Sequence, residues 1–167
     1  MSEDRSQKPP LILLDLEETL IESWRERYLL PNRVEQIKNF LAEHSDAELG
    51  LMSWAVYDDK KDLKDFKEDL QEWLEGCLDF KFTERWVLSM DGWADELFKT
   101  SKKKIDRSEM FDIFGKEEVF LMLARRHPEW SNRKVVLFDD AVEHCILDLP
   151  DRNNSAQMFN VKKHKIR

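Results

Sequence analysis

A chain of 167 residues and 20.1 kDa can bury a core of its own, and one domain is the expectation. Hydrophobic residues at 41% and aromatics at 11% exclude a disordered polymer, while charged residues at 37% predict a densely ionic surface. A net charge of -8 and a pI near 5.1 argue against a general nucleic-acid or anionic-membrane binder, though not against a local basic patch.

Residues 1–8 are polar and predicted to fray. Pro9 and Pro10 lead into Leu11–Leu14, a continuous apolar run suited to a strand covered on both faces. Asn32, with Glu35 three residues on, has the pattern of a capping box, and Val34, Ile37 and Leu41 follow at helical spacing. Leu49–Val56 reads as a second strand, broken only by Ser53. Leu63, Phe66, Leu70, Trp73, Leu74 and Cys77 line one helical face, with Gly76 near that helix's end. A short third strand is predicted at Trp86–Met90, then a polar loop over 91–106 with one helical turn around Trp93–Phe98. Val119, Phe120 and Leu123 mark a helix that Pro128 closes. Val135–Phe138 is a fourth strand and Met158–Val161 a weak fifth. Trp54, Trp73, Trp86 and Trp130 are expected in the core.

Strands alternating with helices predict an α/β domain over residues 9–161, with a parallel sheet of about five strands covered by helices on both faces. Residues 162–167 form a basic C-terminal tail, expected to be solvated. Cys77 and Cys145 are far apart and no signal-like N-terminus precedes them, which reads as a reduced, cytoplasmic protein. The longest apolar runs have strand length, so no transmembrane helix is expected.

In open parallel sheets, ligands bind at the carboxyl ends of the strands. Asp15, Ser53 and the pair Asp139–Asp140 fall at such ends, and Lys116 opens the helix that runs toward the fourth strand. An Asp carboxylate can attack phosphorus if a cation neutralises the phosphate and holds it in line. Mg²⁺ suits such a site because it takes hard oxygen ligands and needs only a couple of carboxylates, here Asp15 with Asp140 and Asp139. Lys116 would neutralise the nucleophile and the transferred group, in competition with the run Lys102–Lys104. Ser53 would hydrogen-bond a phosphoryl oxygen. His144 beside Cys145 has neither the CxxC nor the paired-His spacing of a zinc site.

These four segments resemble the motifs of the haloacid dehalogenase (HAD) superfamily, in family order: Asp15-Leu-Glu-Glu-Thr19 after a strand, Ser53 in LMSWA, Lys116 in FGKEEVF, and the acidic pair ending VVLFDD. The resemblance spans roughly residues 11 to 161. It implies a three-layer Rossmann-like fold, a Mg²⁺ cofactor and phosphate-monoester hydrolysis through an aspartyl-phosphate. Asp15 would then be the nucleophile, with Ser53 and Lys116 as phosphate stabilisers and Asp139 and Asp140 as metal anchors. Response-regulator receivers use similar groups but place the acidic pair first, whereas here it comes last.

One position departs from the pattern. The family's acid/base residue, two after the nucleophile, is normally Asp and is Glu17 here. That position binds metal through its backbone carbonyl in the family, so Glu17 also counts among the metal-binding residues. The extra methylene leaves three readings: a hydrolase with a repositioned loop, a slow one that accumulates aspartyl-phosphate, or a catalytically weak or inactive scaffold that binds a protein or nucleotide. Glu143 falls where many members carry another acid, or is simply a first-turn helix carboxylate. Too few residues follow the first motif for a large cap. The resemblance therefore implies a capless member, often acting on macromolecular or exposed phosphates, with a flap carrying Trp24, Arg25 and Arg27 toward the entrance. A nucleic-acid end phosphatase using Arg25, Arg27 and Lys102–Lys104 is a further reading.

Overall fold

The computed structural model describes residues 8–100, 107–143, 145–164 and 166, with backbone only at 100 and 107–114. The residues 1–7, the run Lys102–Lys104 and His144 lie outside the described residues.

The architecture is α/β. A five-stranded sheet has the order β2-β1-β3-β5-β4, where β1 is Leu11–Leu14, β2 Glu48–Leu51, β3 Lys134–Asp139, β4 Cys145–Leu149 and β5 Asn154–Asn160. The helices are α1 (Pro31–Ala42), α2 (Gln71–Leu78), α3 (Met90–Thr100) and α4 (Arg107–Arg126). β1 pairs in parallel with β2 and with β3, Leu14 standing opposite Leu51 on one side and Phe138 on the other. All four residues of β1 are fully buried, as a central strand needs. Ile12 and Leu14 join a cluster with Val34, Ile37 and Leu41 of α1 and Leu74 and Leu78 of α2. Leu11 and Leu13 join the other, with Trp93 and Leu97 of α3 and Val119, Phe120 and Leu123 of α4. Period-2 alternation thus feeds both clusters from one strand.

Several sequence expectations are corrected. β4 runs antiparallel to β5, so the sheet is mostly rather than wholly parallel. Its half-exposed alternation had no continuous apolar run to announce it. β5 starts at Asn154, earlier than Met158–Val161. The second strand stops at Leu51, because the chain turns at Ser53. The first helix opens on Pro31 without a side-chain cap, so Asn32 is not its N-cap; proline's fixed φ suits the first helical position.

The third strand at Trp86–Met90 is a single bridge, Val87 to Leu51, after a 3-10 turn at Glu84–Trp86. Ser89 ends the extended stretch. Its hydroxyl accepts the Gly92 N–H at 3.0 Å and its carbonyl the Trp93 N–H at 2.9 Å, which starts α3, a longer helix than the single turn expected around Trp93–Phe98. Met90, Trp93, Ala94 and Leu97 form the buried stripe of that helix. The helix expected from Leu63 is two π-helical segments, Asp59–Leu63 and Phe66–Leu70, running into α2. Trp86 and Trp130 are core, whereas Trp54 and Trp73 are exposed at 43% and 41%. The segment after Asn160 packs back: Ile166 is buried against the cluster holding α1. Among the described residues, no helix is long and apolar enough to cross a membrane.

Candidate active site

The strand order places the site. From β1 the chain moves to one side to form β2, then returns to the opposite side of β1 to form β3. The carboxyl ends of β1 and β3 therefore flank the point where the order reverses, and a crevice opens there in sheets of this kind. Asp15 directly follows β1, Asp139 ends β3 and Asp140 comes next. Backbone bonds carry the ladder past the strands: the Asp15 N–H donates to Phe138 O at 3.0 Å, and the Met52 N–H to Leu14 O at 2.9 Å. The sheet itself holds these side chains in register.

Asp15, Asp139 and Asp140 each offer a carboxylate oxygen within 4.8 Å of the others. Asp15 and Asp139 are buried and Asp140 half-buried. The Thr19 hydroxyl donates to Asp15 Oδ2 at 3.4 Å, and the Ala141 N–H to Asp139 Oδ1 at 2.8 Å. Lys116 reaches the cluster from α4. Gly115, at φ 73 and ψ 171, breaks that helix, so Lys116 opens its second half. Its buried ammonium lies 3.4 Å from Asp15 Oδ1, pairs with Asp139 Oδ2 and donates to Met52 O at 3.3 Å. Ser53 is buried beside Asp15, and its Oγ accepts the Ala55 N–H at 3.3 Å. Four of the sequence-derived groups, Asp15, Ser53, Lys116 and the Asp139–Asp140 pair, thus converge.

Electrostatics follow from that crowding. Burial pushes the Asp15 carboxyl up to about 7; Lys116 opposes the rise, and the charge of Asp139 adds to it. Burial also raises Asp140. For Lys116, burial works downward, but Asp15 and Asp139 outweigh it and hold the ammonium above its ordinary value. Three carboxylates against one ammonium leave two negative charges without compensation when all are ionised. A hard divalent cation fits such a donor set in both charge and oxygen chemistry.

Glu17 stands slightly apart. It lines the same cavity, but its Oε2 accepts the Trp24 N–H at 2.8 Å, and its carboxylate is not in the three-Asp cluster. The flap also differs from expectation. Arg27 stacks over Trp24 at 4.3 Å and donates to its carbonyl, while Trp24 packs on the core; the cavity wall takes Glu17 and Glu18 instead. Arg25 is exposed, and Glu143 pairs with Lys163 at 2.8 Å.

Sequence reasoning missed Lys162 and Trp54 as site residues. Lys162, just past β5, lies 2.9 Å from Glu18 and 3.8 Å from Asp140, so the first lysine of the supposed tail sits on the rim. Its position immediately after a strand end was the available signal. Trp54 lines a cavity of about 320 Å³ whose floor includes Asp15, Lys116 and Asp139.

Comparison with protein-family models, curated proteins and solved structures finds no match to this chain.

Proposed function

We propose that this protein is a Mg²⁺-dependent phosphohydrolase acting on phosphate monoesters, built as a capless, three-layer, Rossmann-like domain of HAD type. The observation that carries the reading is the convergence of Asp15, Asp139, Asp140 and the buried Lys116 at the strand-order switch. Carboxylates for a cation, a nucleophile and a fixed positive charge are the parts phosphoryl transfer needs.

In this scheme an Asp15 oxygen bonds to phosphorus as the ester P–O bond breaks, and a water later cleaves the aspartyl-phosphate to release phosphate. Bound Mg²⁺ would neutralise phosphoryl oxygens, with Asp15, Asp139, Asp140 and the Glu17 carbonyl as its candidate ligands. Lys116 opposes the rise that burial imposes on the Asp15 carboxyl and faces the group in transit. Ser53 donates to a phosphoryl oxygen. Glu17 gives its proton to the leaving oxygen and then takes one from the attacking water. The unpaired, half-buried cysteines fit a cytoplasmic setting.

A second reading draws on one observation. The Trp24 N–H ties a Glu17 oxygen to the flap, and a carboxylate held there serves poorly as acid and base. The chain would then be a weak hydrolase or a binding scaffold. Steady-state hydrolysis of an aryl phosphate, with and without Mg²⁺, decides between them. Asp15→Asn is expected to abolish turnover with the fold intact, and unchanged turnover removes Asp15 from the mechanism. A gain of tenfold or more in Glu17→Asp would favour the weak-hydrolase reading.

A further inference from the structure

The turn that follows β2 carries more than a phosphate contact. Ser53 is buried, while the next residue, Trp54, is 43% exposed and lines the cavity that Asp15 and Lys116 also line. Tyr57, 38% exposed, lies nearly parallel to it, with ring centroids 6.2 Å apart and planes 17° apart. A large ring left partly in water at a cleft runs against its usual burial.

Their backbone is fixed from several directions. The Val56 N–H donates to Ser53 O at 3.1 Å, and the Val56 side chain is fully buried. The Met90 and Asp91 N–H groups at the start of α3 donate to the carbonyls of Val56 and Tyr57, at 2.8 and 3.0 Å. The Tyr57 N–H donates to Asp62 Oδ2 at 3.1 Å. One short, preordered turn therefore carries the buried Ser53, Trp54 on the cavity wall and Tyr57 nearly parallel to it, so binding there orders little that is not already ordered.

We infer that Trp54 and Tyr57 form a stacking platform for the base of a nucleoside monophosphate whose phosphate sits at the Asp15–Lys116 floor. The inference rests on the proposed phosphate site and adds the substrate class. Phosphate beside the buried Asp15 and Lys116, with a base on the half-exposed Trp54, requires a spacer between them, which a pentose supplies and a directly joined aryl ring does not. Every nucleobase offers a face for stacking on tryptophan or tyrosine. The cavity, about 320 Å³, is at the small end for ligand sites and suits one nucleotide. Its wall also carries Glu17, Glu18 and Glu117, which repel the further phosphates of a polynucleotide and so favour a monophosphate.

Binding, separated from turnover, provides the test. Calorimetric titration of the Asp15→Asn chain in MgCl₂ would use adenosine 5′-monophosphate, ribose 5-phosphate and phenyl phosphate. The nucleotide is expected to bind about tenfold more tightly than the sugar phosphate, the scale of one base–aromatic stack. Adding Trp54→Ala or Tyr57→Ala should bring that ratio toward one, while Trp54→Phe should keep most of it. Equal affinity for nucleotide and sugar phosphate overturns the platform, as does a ratio insensitive to Trp54 or no binding of either ligand. Phenyl phosphate matching the nucleotide overturns the spacer argument and with it the ligand class. If the wild-type chain hydrolyses no phosphate while the ratio behaves as expected, the hydrolase reading fails and the platform stands.

Discussion

Replacing Asp15 by Asn should make the ion-free protein more stable at neutral pH. Asp15 is buried beside two other carboxyls, and its own is pushed from 3.8 to about 7, chiefly by loss of solvent. The fold therefore prefers the protonated form, whereas the unfolded chain gives up that proton near pH 4. Asp15's contribution is fully present below about pH 4, falls as pH rises, and is lost above about 7. At about 1.4 kcal/mol per pH step, that span amounts to roughly 4 kcal/mol. Asn has nearly the shape of protonated Asp and never ionises. The stability of Asp15→Asn relative to wild type should thus grow from near zero at pH 4 to roughly 4 kcal/mol at pH 8. Glu48 and Glu96 do not confuse this window. Burial acts to raise them, but Arg133 and Arg85 outweigh it, so their contribution fades only at more acid pH. Urea denaturation in EDTA, followed by tryptophan fluorescence between pH 4 and 8, measures the difference directly. Adding Mg²⁺ at pH 8 should stabilise wild type and do much less for the variant, because the ion neutralises the charge that Asn lacks. A variant less stable than wild type at pH 8 without metal, or a difference that ignores pH, refutes the claim that these carboxyls are crowded and undercompensated.

Two glycines provide independent checks on the scaffold. At Gly115, φ 73 and ψ 171 fall where side chains are strained, yet an added Cβ would touch none of the described residues within 4 Å. Gly115→Ala should cost about 1–3 kcal/mol through the backbone alone and lower kcat/KM by shifting Lys116. Thermal melting and turnover together test this, and no change in either would mean the helix break does not position the lysine. At Gly50 an added Cβ would lie 2.7 Å from Leu13 Cδ2 and from Trp86 Cβ. Gly50→Ala should lower the melting temperature by about 5 °C or more, as overpacking between β2 and the Trp86 turn predicts.

The legible parts of the fold were those written in short-range pattern. Leu11–Leu14 and the strand into Asp139–Asp140 are fully apolar runs, and runs of that length with charged ends admit few other readings. The helix that Lys116 opens was visible because Val119, Phe120 and Leu123 follow it at helical spacing. Other parts competed with stronger local signals. Trp86–Met90 has the β-favouring residues of a strand, but Ser89 caps α3 inside it and only Val87 reaches β2. Asp91, Asp95 and Lys99 made α3 read as a polar loop with a single turn around Trp93–Phe98, although Met90, Trp93, Ala94 and Leu97 kept helical spacing throughout. β4 gains its place by pairing with β5, which no residue in either segment announces alone.

For the site, the order and residue types of Asp15, Ser53, Lys116 and the acidic pair were set by the chain itself, since each ends or opens an element whose pattern is local. That these groups meet depends on β3 returning to the far side of β1, a choice made by long-range packing of two apolar clusters. The same packing lifts Asp15 to about 7, turns Glu17 toward Trp24, sets Lys162 on the rim and leaves Trp54 in water. Each of these depends on solvent exclusion or on neighbours remote in the chain, and neither quantity is carried by any one stretch of residues.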